Sequence, residues 1–329
     1  MAGPRLTVVA LEAGDVSALL ERLPAGPGVA QILGPDQRSL LIARPANVRR
    51  WAGTQRGRGK PARTGARPPT NLAPITTAVA YTVTTSPFAQ RLAYERVMAR
   101  HVPIEKRRDL KPPVYLHLDP AARFPRLTVR PAAGDRDHLF GPFRSRQAAQ
   151  EAMAALHKVI PLRPCDFTFE PARDLALGLG CLFAQVGSCA APCLVRISED
   201  DYRALALRAA ETLAGERPPE LARTIADWVG RVAGARGLVA DHGRDGVELY
   251  PVVAGAVVEE EMAVTSAETL EQAVAALRWP EAPAARDDAA WLSAWLHGKR
   301  TGRYLRLSAP ESPAQTAARL VQPRGDGRR

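Results

Sequence analysis

The sequence predicts an α+β protein of more than one domain, and three observations carry that reading. Short apolar or alternating runs recur between Gly, Pro and Asp, as strands joined into hairpins require. Capped helical stretches lie between groups of strands and do not alternate with them one for one. The 329 residues exceed one average domain, and a hydrophobic content of 46% is enough for real cores.

Taken in order, Arg5–Ala10 reads as a short strand, and Asp15 caps a helix running to Leu23. Residues 27–44 read as a hairpin turning at Gly34-Pro35-Asp36. Asn47–Trp51 begins a short basic element. Residues 52–74 carry five basic residues and no acid among Gly and Pro, which predicts a loop suited to phosphate contact or simply tolerated. Ala78–Thr84 alternates as a strand, and Pro87–Arg100 reads as a helix. Val114–Leu118 and Leu127–Arg130 read as paired strands, and Phe140-Gly-Pro-Phe143 as a turn. Ser145 caps a helix to about Val159. Ser198-Glu-Asp-Asp201 opens another helix in the manner of a capping box, with Asp in the usual Glu position. Leu221–Val239 is expected to be mostly helical, Val247–Val258 a hairpin, and Ser266–Arg278 and Asp287–Leu296 helices. Trp291 and Trp295 share one helix face, a spacing that favours core packing. The residues after Ser308 read as a flexible basic tail.

The formal net charge is +11, which favours a polyanionic partner such as nucleic acid over solvated surface charge. The N-terminal residues lack the apolar core of a signal peptide, and no run approaches a membrane span. A cytoplasmic protein with no membrane partner is therefore expected. The histidines are scattered, and no phosphate-cradling Gly loop followed by Gly-Lys-Ser/Thr is present.

Four cysteines carry the clearest chemistry. Cys165, Cys181, Cys189 and Cys193 are the only ones, and they fall within 29 residues with spacings of 15, 7 and 3. In a reducing compartment such a group suits a four-thiolate metal site more than disulfides. The paired Cys-x-x-Cys knuckles of a zinc ribbon are absent, which favours an iron–sulfur cluster and leaves Zn2+ as the alternative.

The words around the cysteines are Phe140-Gly-Pro-Phe143, Ile160-Pro-Leu-Arg-Pro-Cys165, Cys181-Leu-Phe-Ala-Gln-Val-Gly-Ser-Cys189-Ala-Ala-Pro-Cys193 and Ile197-Ser-Glu-Asp-Asp-Tyr202. Their order resembles the UvrC and Cho family of excision-repair nucleases. That resemblance implies a 4Fe-4S cluster on the four cysteines. Upstream, the family has a GIY-YIG endonuclease domain, a small mixed sheet with flanking helices, which needs tyrosine hydroxyls, an arginine and a Glu holding Mg2+ or Mn2+. Here Pro27-Gly-Val-Ala30 places Ala30 where the family has the first Tyr. Leu41 stands for the second Tyr, Ala43 for the Gly, Arg44 for the Lys and Trp51 for the Arg, while Asn47 matches. Gln90-Arg-Leu-Ala-Tyr-Glu95 retains the Glu, so Glu95 is the one surviving catalytic candidate. The family's later Asn falls near Arg107. Arg44, Asn47, Arg49 and Arg50 are the expected DNA contacts.

The resemblance thus implies a DNA-binding excision-repair protein whose GIY-YIG domain is degenerate and cuts weakly or not at all. One alternative is an active endonuclease using displaced groups, Tyr81 or Tyr94 with Arg49 or Arg50; another is a redox-sensing, non-enzymatic DNA-binding regulator. A UvrB-like partner is also implied, although the acidic, aromatic word of its binding hairpin is missing from Leu221–Val239. The expected domains are 1–110 (nuclease-like), 111–215 (cysteine domain), 216–308 (a helical segment and a small C-terminal α/β domain) and 309–329 (tail). In the third, Asp241, His242, Asp245, Asp287 and Asp288 form at most a weak acidic candidate.

Overall fold

The computed structural model describes residues 4–12, 15–55, 72–103, 106–107, 110, 113–131, 138–143, 145–175, 181–214, 230–231, 236–259, 262–280, 288–297, 302–307 and 311–321. The chain divides into two compact units. The first comprises Met1–Asp109 with Asp241–Glu248, and the second comprises Leu110–Ala240 with Leu249–Arg329.

In the first unit, strands β1 (Thr7–Ala10), β2 (Gly28–Leu33), β3 (Ser39–Ala43) and β4 (Ala78–Val83) form a sheet in the order β1-β4-β2-β3. Its ladders are antiparallel throughout, where a mixed sheet was expected; the two long connections between strands return each strand beside an antiparallel neighbour. Helix α1 (Val16–Glu21) starts at Asp15, whose carboxylate accepts from the amides of Ser17 and Ala18. This satisfies donors that a helix start leaves without intrahelical partners. Helices α2 (Val48–Gly53) and α3 (Pro87–His101) are capped by the side chains of Asn47 and Ser86. The core joins Val9, Leu19, Leu23, Ala30, Val48, Ala52 and Val79, with Trp51 and Tyr81 packed against it. Gly28 is required for close strand approach: a Cβ there would lie 2.3 Å from the Thr82 carbonyl oxygen.

In the second unit, β5 (Val114–His117), β6 (Thr128–Pro131), β7 (Leu139–Phe143) and the short β8 (Gly230–Arg231) form an antiparallel sheet in the order β6-β5-β7-β8. Phe140-Gly-Pro-Phe143 is therefore strand and not turn. Gly141 fits there because it takes φ +149° and a Cβ would meet Tyr115 at 2.9 Å, and Pro142 follows a cis peptide. Helices α4 (Arg146–His157), α5 (Leu182–Gln185) and α6 (Glu199–Ala214) follow. Ser145 caps α4 through the Ala148 amide. The Ser198 hydroxyl accepts from the Asp201 amide at 3.1 Å, the N-cap half of a capping box, and donates to the Asp201 carboxylate at 2.7 Å. Leu116, Phe140, Leu156, Ile160, Leu162, Tyr202 and Leu213 centre a core shared by β5, β7, α4 and α6.

The C-terminal sheet contains β9 (Arg236–His242), β10 (Val247–Val253), β11 (Ala256–Val257), β12 (Ala263–Thr265) and β13 (Arg303–Leu307), in the order β11-β10-β9-β13 with β12 beside β10. Two expectations are corrected. The helical reading of Leu221–Val239 fails over Arg236–Val239, which pair with β13: the continuously apolar run Gly237–Ala240 is buried between two strands. Residues 221–229 lie outside the described residues, as do 56–71 of the basic loop. The tail after Ser308 contains a helix over Pro313–Val321, which buries Thr316, Ala317 and Leu320 and packs against the helix Leu270–Ala276. Trp291 sits in the core of the helix Ala289–His297 and donates to Asp288 at 2.8 Å. Among the described residues no helix is long and apolar enough to cross a membrane.

Candidate metal centre and a buried carboxylate

The cysteine segment lies within the second unit, anchored to its core by the residues that precede it. The Tyr202 hydroxyl, fully buried, donates to the Pro125 carbonyl at 2.9 Å and accepts from the Arg163 amide at 2.8 Å. Burial drives its phenol strongly upward, keeping it a neutral donor. The Arg163 guanidinium then spans to the carbonyls of Phe124 at 3.0 Å and Phe167 at 2.8 Å. The chain on both sides of Cys165 is thus pinned to a rigid frame.

The other cysteines are held by backbone bonds. The Cys181 carbonyl caps α5, accepting from Ala184 and Gln185. The amides of Ser188 and Cys189 both donate to the Phe183 carbonyl, at 3.0 and 3.1 Å. Ala190 donates to Pro161 at 2.8 Å, and Ala172 donates to the Cys193 carbonyl at 3.0 Å. Cys193 lies in a single turn between Ala191 and Val195, whose φ values of 52° and 55° are left-handed. A β-branched residue there is strained, and strain of this kind collects at functional sites.

Cys189 and Cys193 are buried, and Cys165 and Cys181 half-buried. Burial pushes the Cys189 thiol up to about 11, and the nearby Cys165, Cys181 and Cys193 push in the same direction. Cys193 is raised for the same reasons, burial first. The Ala191 amide lies 3.3 Å from Cys189 Sγ and favours its thiolate. The donor chemistry, four soft sulfurs with an amide aimed at one of them, fits a soft metal or an iron–sulfur cluster. Their present arrangement is looser than a coordination shell: among the described residues no group of three or more Cys, His, Asp or Glu side chains is placed to hold a metal ion.

The expected nuclease residues of the first unit are placed differently. Ala30 is fully buried and shares the core with Trp51 and Tyr81, so the positions matching the family's first Tyr and its Arg now serve packing. Leu41 lies opposite Ile32 in the β2–β3 ladder. Asn47 caps α2 by accepting from the Arg50 amide at 2.8 Å. Arg49 donates to the carbonyls of Leu23 and Glu21 at 2.8 and 3.2 Å, closing the end of α1. Of the expected DNA contacts, Arg44, Arg49 and Arg50 are exposed residues. Gln90 donates to the carbonyls of Gly28 and Pro45, tying the two matching words together.

Glu95, the surviving catalytic candidate, is buried. Its Oε1 lies 2.6 Å from Arg91 Nε, and its Oε2 accepts from Arg107. The side chains of Glu95 and Arg107 are only 3% and 4% exposed. Arg44, Arg91 and Arg107 surround the Tyr94 ring at 5.7, 6.0 and 5.7 Å, within cation–π range. The i,i+4 spacing of Arg91 and Glu95 is visible in the sequence; the Arg107 pairing is not.

Asp241 at the end of β9 and Glu248 at the start of β10 are also structural. Asp241 accepts from the Phe88 amide, and Glu248 accepts from the hydroxyls of Thr85 and Ser86, all at the start of α3.

A family model described as UvrC/Cho excinuclease, middle domain, matches residues 113–212, the stretch from β5 through the cysteines to α6. UvrABC system protein C of Geobacter sp. (strain M21) is 30% identical over 202 residues, 60% of this chain and 30% of the relative. That of Citrifermentans bemidjiense is 30% identical over 209 residues, 63% and 32% of the two chains. That of Geotalea daltonii is 38% identical over 110 residues, 33% and 17%. The chain covers 30% and 32% of the length of the first two. No solved structure matches.

Proposed function

We propose, from the premise that this chain is UvrC/Cho-like and related to nucleotide excision repair, that it is a cytoplasmic DNA-binding protein with a cysteine-held cluster and little or no strand-cutting activity. The observation that carries this reading is a contrast between the two units. The cysteine loop is braced around Cys165, Cys189 and Cys193 by Arg163, Phe183, Pro161 and Ala172, while the nuclease-matching positions have been absorbed into core packing and ion pairing. The net charge of +11 supports a nucleic-acid partner. Cys165, Cys181, Cys189 and Cys193 would hold a 4Fe-4S cluster, with zinc the alternative; such a group supplies a cross-link between loop segments that share little apolar core.

The reading as an active endonuclease with displaced groups has less support. Tyr81 packs against the core, and Arg49 is engaged with the carbonyls of Glu21 and Leu23. A UvrB-like partner remains part of the proposal only by likeness to relatives named for the UvrABC system.

Two measurements test the proposal. Anaerobic purification with an iron and sulfide count and an absorbance spectrum is expected to give four irons per chain; a colourless protein with one zinc overturns the cluster assignment. Affinity for duplex DNA is expected to fall steeply with salt, because each neutralised phosphate releases counterions. A flat salt dependence overturns the DNA reading, and robust Mg2+-dependent nicking lost in Glu95→Gln overturns the weak-nuclease reading.

A further inference from the structure

A carboxylate that is almost wholly buried requires a partner of opposite charge, since its desolvation is otherwise uncompensated. Glu95 has two such partners, one on each oxygen. Arg91 reaches it from the same helix face, one turn earlier, and Arg107 from the segment that follows α3. A Mg2+ or Mn2+ ion needs direct access to a carboxylate oxygen at about 2.0–2.1 Å, in an octahedral shell that keeps several waters. The residues present do not fit it. Both oxygens of Glu95 are covered by guanidinium groups, its side chain is 3% exposed, and no further acid joins it in a metal-binding group among the described residues.

We propose that Arg107, backed by Arg91, takes the charge-balancing place of a divalent cation on Glu95, so that the first unit carries an internal guanidinium in place of a metal. This deepens the weak-nuclease reading and rests on the family match of Glu95, but it concerns metal binding and not cutting. Tyr94 belongs to the same device. Its ring lies against Arg107, Arg91 and Arg44, and holds the guanidinium groups beside the helix that bears Glu95. The arrangement keeps the cluster net positive, three arginines to one glutamate, without an exchangeable ion. DNA bound by this unit would then be bound with no need of a divalent metal.

The test is a Mn2+ titration of the full chain, following free Mn2+ by electron paramagnetic resonance. Three variants accompany the wild type: Arg107→Asn, Glu95→Gln, and the double variant Glu95→Gln/Arg107→Met, which removes both charges together. The wild type and the double variant are expected to give superimposable isotherms up to millimolar Mn2+. Arg107→Asn is expected to gain one Mn2+ per chain, with a rise in melting temperature on adding the ion. A wild-type site that disappears in the double variant overturns the proposal, and so does a folded Arg107→Asn that gains no ion. Should Arg107→Asn fail to fold, the comparison of wild type with the double variant decides alone. Strand cutting by a wild type with no Glu95-dependent Mn2+ would sink the weak-nuclease reading and leave this inference standing.

Discussion

The Phe88 backbone amide donates to Asp241 Oδ2 at 2.8 Å, joining the first turn of α3 to a residue 153 positions later. Asp241 is 1% exposed, and its other oxygen accepts from the His242 amide at 3.0 Å. Glu248, 3% exposed, accepts from the Thr85 and Ser86 hydroxyls at the same helix start. Helix N-termini present amides without intrahelical partners and a partial positive charge; Asp241 answers the first through the Phe88 amide, and both carboxylates complement the second. Asp241→Ala leaves the Phe88 amide buried without its acceptor. It is expected to cost about 1–3 kcal/mol in urea unfolding. Asp241→Asn, which keeps an acceptor, should cost less, and equal losses for the two would argue against a hydrogen-bonding role.

The Glu95–Arg107 pair makes a second, stability-based prediction. Breaking a buried pair by removing one partner leaves an uncompensated charge, whereas replacing both by apolar groups is near neutral. Arg107→Met alone is expected to destabilise the first unit by about 3–5 kcal/mol, and Glu95→Leu/Arg107→Met to recover most of that loss. Denaturant midpoints for the three proteins check it; a double variant no better than the single one refutes the pairing.

Tyr202 supplies a third. Its hydroxyl satisfies both the Pro125 carbonyl and the Arg163 amide. Tyr202→Phe orphans two backbone groups, one of them entering the cysteine segment. The expected loss is about 1–3 kcal/mol, together with faster reaction of the cysteines with a thiol reagent in the metal-free protein. A destabilised variant with unchanged thiol reactivity would separate Tyr202 from the cysteine loop.

Much of this was readable in the sequence where the cause is local. Asp15, Ser145 and Ser198 cap helices as their spacing predicts, because a cap depends on three or four consecutive residues. The α+β class and the β2–β3 and β10–β11 hairpins follow from apolar runs and turn residues in the same way. What failed depended on distant partners. Phe140–Phe143 contains Gly and Pro and so read as a turn, but β5 and β8 flank it on both sides and make it strand. Arg236–Val239 read as helix until β13, more than sixty residues on, supplies its partner strand. The helix Pro313–Val321 has an apolar face too short to announce itself without the helix it packs against. Of the site, the cysteines were legible as a group because four residues of one rare type fell together. The burial of Glu95 was not, since a carboxylate on a helix reads as surface and Arg107, the second of its two partners, comes from beyond that helix.

His157 carries the last prediction, a pH dependence. It lies in the final turn of α4, is 9% exposed, and its Nε2 finds no hydrogen-bond partner among the described residues. Burial lowers its pKa from the ordinary value of 6.5. The folded state therefore favours the neutral ring, and the unfolded chain takes up a proton first as pH falls. Stability from this group is fully present above pH 6.5 and declines below it, until the pH reaches the lowered folded pKa and the loss levels off. The slope in that window is at most about 1.4 kcal/mol per pH unit for one proton. His157→Leu removes the titrating group and fills the same apolar surroundings. The difference in unfolding free energy between the two proteins is expected to be flat above pH 7 and to move in favour of the variant between pH 6.5 and 5. A constant difference across that range would show that His157 is not buried as a neutral ring.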